Sequence, residues 1–98
     1  MIDLSKLEGF EWDKGNSLKN QIKHNVNTAE AEEIFFNKPL KIAIIDKTNK
    51  IPEKRYQALG MTIELRLLSV IFTIRKKKIR VISARDMSKR ERKYYHEA

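Results

Sequence analysis

The 98-residue chain contains no cysteine, which excludes both a disulfide framework and a thiolate metal site. Its two histidines, His24 and His96, are far apart in the sequence, and such a pair makes a poor zinc centre. The chain also lacks any apolar run near the ~18 residues of a membrane-spanning helix, and a secretion signal is absent. We therefore expect a cytoplasmic protein with no metal, no cofactor and no membrane association.

The chain is too short for two domains. A domain of this size buries only about two thirds of the surface of its unfolded chain, so we expect one domain over residues 1–98 with one core. Residues 1–9 are predicted to be a loose lead-in to that domain. Charged residues make up 35% of the chain and hydrophobic residues 41%, which is typical of a globular protein.

Acidic residues are scarce in the last third of the chain. Between Arg66 and Lys93 there are eleven Lys and Arg but only Asp86 and Glu91, a net charge of +9, whereas residues 1–37 sum to −3. Lysine and arginine displace counterions from phosphates, so a concentrated basic surface is typical of a protein that binds a polyanion. Charge alone is equally consistent with a solvated basic face.

The same third of the chain predicts an antiparallel hairpin. Two stretches rich in Val, Ile and Phe, Arg66–Ile74 and Lys78–Ser83, flank the basic cluster Arg75–Lys77. A register with Thr73 opposite Arg80 makes one face continuously apolar, because it pairs Phe72 with Val81 and Ile74 with Ile79. The other face then carries Ser69, Thr73, Arg75, Lys78 and Arg80.

Two helices are predicted near the N-terminus, after a short strand at Phe10–Trp12. The first runs from about Lys14 to Asn25, and on it His24 faces away from the buried stripe, so that it meets water or substrate or caps the last turn. A second helix follows, because Asn27 and Glu30 have the spacing of a capping box. Asn37 and Pro39 are predicted to end this helix.

The central segments predict two more strands. Leu40–Ile45 is almost continuously apolar, which favours a strand covered on both faces or a short buried element. Arg55–Met61 is the second strand, and Gly60 within it indicates a bulge or the close approach of another backbone. Thr62–Leu65 must then turn the chain into the hairpin.

A final helix begins at the capping box formed by Ser88 and Glu91. Lys89 and Arg90 occupy its first turn, where the helix dipole disfavours cations, so either a phosphate ligand or tolerance of exposed charge explains them. The predicted class is therefore α+β, in which a mostly antiparallel sheet carries two N-terminal helices and one C-terminal helix. Such a sheet leaves one face open for binding.

Seven short motifs occur in order from Phe10 to Tyr95. They are FEWD at Phe10–Asp13, KH at Lys23 and His24, R-x-x-x-LG at Arg55–Gly60, RLL at Arg66–Leu68, T-x-R at Thr73 and Arg75, IRVISAR at Ile79–Arg85, and RERKYY at Arg90–Tyr95. Together they resemble the BrnT family of toxins. The resemblance implies a RelE-like fold and a metal-independent endoribonuclease that inhibits translation. The RNA would be cut either on the ribosome or free of it. It also implies neutralisation by a co-encoded ribbon-helix-helix antitoxin.

The resemblance carries over to individual polar residues. The family's polar motif residues fall on Lys23, His24, Arg55, Arg66, Arg80, Arg85, Arg90 and Glu91. The chain departs from the family pattern in the TIEL turn before Arg66, and at Asp86, where members often carry a basic or apolar residue. These departures concern the placement of Arg66 and the strength of RNA binding near Asp86.

Metal-free RNA cleavage needs a base, an acid and cations around the charged phosphorane. We assign phosphorane stabilisation to Arg80 and Arg66, because guanidinium groups bind two phosphate oxygens, and proton transfer to Lys23 or His24. By strand parity, Arg80 and Arg66 can reach one phosphate only if Arg66 sits at the end of the sheet. The RNA-binding candidates are Arg55, Arg75, Lys76, Lys77, Lys78, Arg85, Lys89, Arg90 and Arg92.

One alternative function uses the same basic face without chemistry. A small RNA- or ribosome-binding module would carry the same net charge of +9 between Arg66 and Lys93, so composition alone does not separate it from an enzyme. The family resemblance favours the enzyme.

Overall fold

The computed structural model describes residues 7–12, 15, 23–45 and 54–97. These residues form five strands and two α-helices, which confirms the α+β class, whereas the predicted set of three helices is not confirmed. The elements in chain order are β1 (Phe10–Trp12), α1 (Thr28–Glu33), β2 (Lys41–Ile44), β3 (Tyr56–Met61), β4 (Leu67–Arg75), β5 (Lys78–Asp86) and α2 (Lys89–His96), with a 3-10 turn at Ile34–Phe36 after α1. Neither α-helix is long and apolar enough to cross a membrane.

Most of the predicted first helix, residues 14–25, lies outside the described residues. Of this stretch only Gly15, Lys23, His24 and Asn25 are described, and the first three are helical. The second predicted helix is confirmed with its start. Asn27 caps α1 through a reciprocal capping box with Glu30, because each side chain accepts a hydrogen bond from the other residue's backbone N–H.

The sheet is mixed, with strand order β1-β5-β4-β3-β2. β1 pairs with β5 in parallel, and the other three pairings are antiparallel. The hairpin of β4 and β5 has the predicted register, with Thr73 opposite Arg80, Phe72 opposite Val81 and Ile74 opposite Ile79. The apolar pattern therefore sufficed to place this half of the hairpin.

A β-bulge changes the second half of the hairpin. Phe72 pairs with Val81 but its neighbour Ile71 pairs with Ser83, so Ile82 is an extra residue in β5. Side chains alternate between faces along a regular strand, and one extra residue reverses that alternation beyond the bulge. As a consequence, Arg85 points to the same face of the sheet as Arg80, although the two are five positions apart.

The two faces of the sheet carry different layers. On the first face, α1 and the 3-10 turn cover the main core. This core consists of Val26, Ala31, Ile34, Ala58, Leu68, Val70, Phe72, Ile79, Val81 and Ala84. On the second face, α2 buries a smaller cluster of Leu59, Met87 and Tyr95. The expectation of one wholly open face is therefore wrong, since α2 covers one end of it.

Gly60 has the predicted close neighbour. A Cβ built on Gly60 would lie 2.7 Å from Ile34 Cβ and 3.2 Å from the Ile34 carbonyl oxygen, so the 3-10 turn packs directly on β3. The two tyrosines of α2 differ in exposure. Tyr95 is buried in the smaller cluster, where its hydroxyl donates to the Pro39 carbonyl at 2.6 Å, and Tyr94 is exposed.

Two expectations need correction. The apolar run Leu40–Ile45 favours a strand covered on both faces or a short buried element, but β2 is the edge strand of the sheet, and Ala43, Ile44 and Ile45 are exposed. Residues 7–9 were assigned to a loose lead-in, yet Leu7 packs against the core and Gly9 accepts a backbone hydrogen bond from Ile79 at 2.9 Å. Residues 1–6 lie outside the described part of the chain.

Candidate nucleic-acid interface

The second face of the sheet collects arginines from separate parts of the sequence. By strand parity and register, three basic side chains of β5 and Arg55, which precedes β3, lie on this face. Arg90 of α2 lies beside it. Arg75, which ends β4, belongs to the same face. We call this surface the basic face, and its members are Arg55, Arg75, Lys78, Arg80, Arg85 and Arg90.

Arg80 lies on the basic face between β4 and β1. It stands opposite Thr73 on one side and Glu11 on the other, and its Nη1 is 3.7 Å from Glu11 Oε1. Its side chain retains 25% exposure. At this separation the carboxylate is an electrostatic neighbour of Arg80, and the partial exposure of the side chain leaves it reachable from the face.

Arg85 is held rigidly by a carboxylate from α2. Its Nη1 and Nη2 donate to Glu91 Oε1 and Oε2 at 2.7 and 2.9 Å, a bidentate pair, and Nη1 also donates to the Asp86 carbonyl at 3.1 Å. Three of its five N–H groups are therefore used, and the other two have no partner among the described residues. Arg85 is thus oriented by protein and still has donors for a ligand.

Glu91 is the centre of this network. Its carboxylate also accepts from Gln57 Nε2 at 2.7 Å and from the Ser88 backbone N–H at 2.8 Å, and Gln57 Nε2 donates in turn to Ser69 Oγ at 2.9 Å. The hydrogen bonds from Arg85, followed by that from Ser88, lower the pKa of Glu91 to about 2. The hydrogen bonds to Glu91 in turn raise the pKa of Arg85. Glu91 is therefore ionised at neutral pH, which suits it to hold Arg85 rather than to transfer a proton.

The depressed pKa of Glu91 predicts a pH dependence of stability. A carboxyl group whose pKa is lower in the folded state contributes stability above its unfolded pKa of 4.5 and loses it as the pH falls towards about 2. Glu91→Gln should therefore lower the free energy of unfolding by about 2 kcal/mol at pH 7, discounting the shift for the partial exposure of the pair.

The measurement is urea denaturation of both proteins at pH 7, 5 and 3. The difference between wild type and Glu91→Gln should shrink on the acid side, and Glu64→Gln, at an exposed turn position, serves as the matched control. A difference that is constant across the three pH values would contradict the assigned role of Glu91.

Arg66 makes a different set of contacts, on the helix side of the sheet. Its Nε and Nη2 donate to Asp86 Oδ1 and Oδ2 at 2.7 and 3.1 Å, and its Nη1 donates to Glu30 Oε2 at 3.0 Å. Its remaining N–H groups donate to the carbonyls of Asn25 at 2.8 Å and His24 at 3.3 Å. All five N–H donors of the guanidinium are therefore engaged.

These bonds explain why this chain has an acid at position 86. The hydrogen bonds from Arg66 lower the pKa of Asp86, with smaller contributions from His24 and Arg92 nearby, and Asp86 raises the pKa of Arg66. Asp86 therefore ties the end of β5 to Arg66, and Arg66 in turn ties the start of β4 to the segment before α1. A phosphate can bind Arg66 only if one of these bonds breaks.

The four predicted catalytic residues do not form one cluster. Arg66 does lie at the end of the sheet, as a shared phosphate requires, but its guanidinium turns to the helix side, where the His24 carbonyl and the helical residue Lys23 also lie. Arg80 is on the opposite face, and its partner Thr73 in β4 is five positions from Leu68, the partner of Asp86, so about 17 Å separates Arg80 from Asp86 at strand spacing. The sheet thus separates Arg80 from the other three.

The remaining candidates lie at two further places. Lys76 and Lys77 form the two-residue hairpin tip, both with left-handed backbone, φ 51° and 64°. Lys89 and Arg92 are exposed on α2, and Arg92 contributes to the lowered pKa of Asp86. The predicted RNA-binding set therefore divides between the basic face, the hairpin tip and the outer side of α2.

Sequence reasoning missed Gln57 and Lys41. Gln57 is the one amide in the otherwise uncharged strand β3, and this could have indicated a polar group on one face of the sheet. Its hydrogen bond to Glu91 spans 34 positions, so no local pattern predicts it. Lys41 donates to the carbonyls of Tyr94 and Glu97 at 2.7 Å and so caps the end of α2. Among the described residues, no three His, Asp or Glu side chains come together as metal ligands.

Comparisons with known proteins agree with this architecture. A family model described as "Ribonuclease toxin, BrnT, of type II toxin-antitoxin system" matches residues 12–91. The structure is similar to the crystal structure of the Brucella abortus ribonuclease toxin, BrnT, with a TM-score of 0.59, 23% sequence identity, and coverage of 83% of this chain and 97% of that one. No curated protein sequence matches the chain.

Proposed function

Because the chain belongs to the BrnT family of ribonuclease toxins of type II toxin-antitoxin systems, we propose that it is a metal-independent endoribonuclease that cuts RNA on its basic face. Cleavage of RNA in the cytoplasm would inhibit translation, and the fold would be of the RelE-like type. One observation supports the choice of face. Arg80 and Arg85 lie on the same face only because of the bulge at Ile82. Arg85 also keeps two N–H donors after it has paired with the Glu91 carboxylate.

The proposed chemistry needs no group outside the RNA and the protein. The 2′-hydroxyl gives its proton to a base and attacks the adjacent phosphorus. The bond from phosphorus to the 5′-oxygen breaks, this oxygen takes a proton from an acid as it leaves, and a cyclic 2′,3′-phosphate remains on the upstream fragment. Arg80 and Arg85 would bind the extra negative charge of the phosphorane, since fixed guanidinium donors act most strongly on charge that develops in the transition state. Arg66 would act as a positioning residue that fixes the segment around His24.

Lys23 and His24 remain the proposed proton-transfer groups. Because they lie with Arg66 across the sheet from Arg80, they can serve a phosphate at Arg80 only if the RNA strand passes around the end of the sheet. Their contribution can be measured separately. Lys23→Ala and His24→Gln should each lower the cleavage rate without lowering RNA affinity, because proton transfer acts on the transition state. Undiminished cleavage by both variants would remove them from the mechanism.

The deciding experiment incubates purified protein with RNA in EDTA and maps the new ends. We expect cuts at defined positions with 5′-hydroxyl and cyclic phosphate ends. Arg80→Lys, purified in parallel, controls for contaminating ribonuclease. RNA that is bound but left intact with and without metal would overturn the enzyme and favour the alternative, a non-catalytic RNA- or ribosome-binding module.

The hairpin tip gives a further prediction. A two-residue turn with both φ values positive favours Asn-Gly, and lysine at each position costs on the order of 1 kcal/mol. Lysines that oppose the local backbone preference are explained by phosphate contacts. Lys76→Asn with Lys77→Gly should therefore raise stability by about 1 kcal/mol and weaken binding of all RNA sequences by a similar factor.

The measurement is RNA affinity as a function of salt, together with thermal melting. Loss of two phosphate contacts should reduce the slope of log affinity against log salt by about 1.4 for single-stranded RNA. The matched control, Lys76→Arg with Lys77→Arg, keeps both charges and should bind as wild type. An unchanged slope in the Asn-Gly variant would remove the hairpin tip from the RNA surface.

Membership of a type II family implies a cognate antitoxin, and we propose that it is of the ribbon-helix-helix type and covers the basic face. A partner with acidic side chains would compete with RNA for the same arginines and associate fastest at low salt. RNA should therefore be displaced from the complex as antitoxin is added. Simultaneous binding of both with no mutual effect would contradict this arrangement.

A further inference from the structure

A cleft of about 410 Å³ opens on the second face of the sheet, between α2 and the strands β2 and β3. Its volume is in the range of small-molecule sites. The cleft has apolar side chains, a polar end formed by the network of Glu91, and a cation from α2 at its rim. The residues that matter for the argument are Ala43, Leu59, Gln57, Glu91, Arg90 and Tyr94.

Tyr94 supplies an aromatic ring to this cleft. Tyr94 is 55% exposed, so a face of its ring is open to a ligand. Lys41 Nζ lies 4.5 Å from the ring centroid and is itself held by the carbonyls of Tyr94 and Glu97. The ring is thus oriented before any ligand arrives, so a planar ligand that stacks on it pays little ordering entropy.

Gln57 supplies a hydrogen-bond acceptor of known orientation. Its Nε2 must face Glu91, because a carboxylate accepts and does not donate, and the same nitrogen donates to Ser69 Oγ. The amide carbonyl oxygen is consequently left as an acceptor with no partner among the described residues. A ligand in the cleft can therefore offer an amino or imino N–H to Gln57.

We propose that this cleft binds one unpaired base of the RNA substrate, with Tyr94 as the stacking surface and Gln57 as the acceptor for the edge of the base. The inference rests on the proposed function and adds a base subsite to it. Three properties of a nucleotide match the lining of the cleft: the planar base can stack on the Tyr94 ring, the N–H groups on its edge can donate to Gln57, and its phosphate can bind Arg90.

The position of the cleft agrees with a single RNA strand that crosses the basic face. Gln57 is two strands away from Arg80 and one side-chain row along the sheet, which puts their Cα atoms about 12 Å apart at standard spacings. Neighbouring nucleotides of one strand can span that distance. A base in the cleft would therefore fix which phosphate lies at Arg80, and so set where the strand is cut.

The test uses short 2′-O-methyl RNA, which cannot undergo attack by its own 2′-hydroxyl, so that binding is measured apart from cleavage. Abasic sites are placed at each position in turn, and affinity is followed by fluorescence anisotropy. For the wild-type protein, one abasic position should weaken binding roughly tenfold, the scale of one base stacked on an aromatic ring. Tyr94→Ala should weaken the parent RNA by the same factor and show no further loss with that abasic RNA.

Two variants control for the fold and for nonspecific effects. Tyr94→Phe keeps the ring and should bind as wild type. Phe36→Ala removes an aromatic side chain that is 78% exposed elsewhere on the surface and should not change RNA affinity. Equal binding of all abasic RNAs by the wild type, or equal losses in Tyr94→Ala and Tyr94→Phe, would overturn the base subsite.

The outcomes separate this inference from the proposed function. Base-dependent binding without any cleavage of ordinary RNA would overturn the enzyme and support the subsite. Cleavage of RNA without base-dependent binding would support the enzyme and overturn the subsite. If Tyr94→Ala weakened binding of the co-encoded antitoxin and left RNA binding unchanged, the cleft would belong to the protein partner, and the subsite would be refuted.

Discussion

Arg80→Lys is expected to lower the rate of RNA cleavage roughly a hundredfold or more while leaving RNA affinity nearly intact. Lysine keeps the positive charge that attracts RNA in the ground state, but it loses the planar fork that binds two phosphate oxygens at once. The position of Arg80 on the open part of the basic face, 3.7 Å from Glu11, allows a substrate phosphate to reach it. An interaction made only in the transition state affects the rate and not the affinity.

The measurement is single-turnover cleavage of a short RNA, with thermal melting to exclude loss of fold. Lys89→Ala is the matched control, since Lys89 is exposed in the first turn of α2 and disfavoured there by the helix dipole. This variant should bind RNA modestly less well and cleave at the wild-type rate when saturated. Undiminished cleavage by Arg80→Lys would move the phosphorane contact to Arg85, which keeps two N–H donors beside its pair with Glu91.

Arg66→Ala is expected to destabilise the protein by about 3 kcal/mol, because it leaves two carboxylates and two backbone carbonyls without their shared hydrogen-bond donor. Arg66 is 26% exposed, and it joins Glu30 and Asp86 to the carbonyls of Asn25 and His24. For a domain of this size, such a loss lowers the melting temperature by at least about 10 °C. Lost activity in this variant would follow from lost structure.

Thermal and urea unfolding of three variants tests the role of Arg66. Arg66→Lys should recover little stability, because one ammonium cannot reproduce five donors that point to four residues. Arg55→Ala is the control, since the Arg55 side chain has no hydrogen bond among the described residues. If Arg66→Ala melted like wild type but failed to cleave RNA, Arg66 would be a catalytic residue after all.

Local patterns in the sequence determined much of the fold. Alternation of apolar side chains fixed the register of Thr73 with Arg80, because a slip by one residue would expose every core side chain of the strand. Capping boxes fixed the starts of α1 and α2, since each is a reciprocal pair of hydrogen bonds within four residues. The concentration of basic charge between Arg66 and Lys93 likewise indicated a surface for a polyanion, because charge is a property of the residues themselves.

The composition of the candidate site depended on tertiary structure. Parity without a bulge places Arg85 on the face opposite Arg80, and only the extra residue Ile82 brings both to one face. Strand parity also could not predict the hydrogen-bond partners of Arg66, because they lie 20 to 42 positions away in the sequence. Short-range patterns determine where strands and helices begin and pair. The free or engaged state of each guanidinium is decided by contacts between distant segments, which exist only once those segments have packed together.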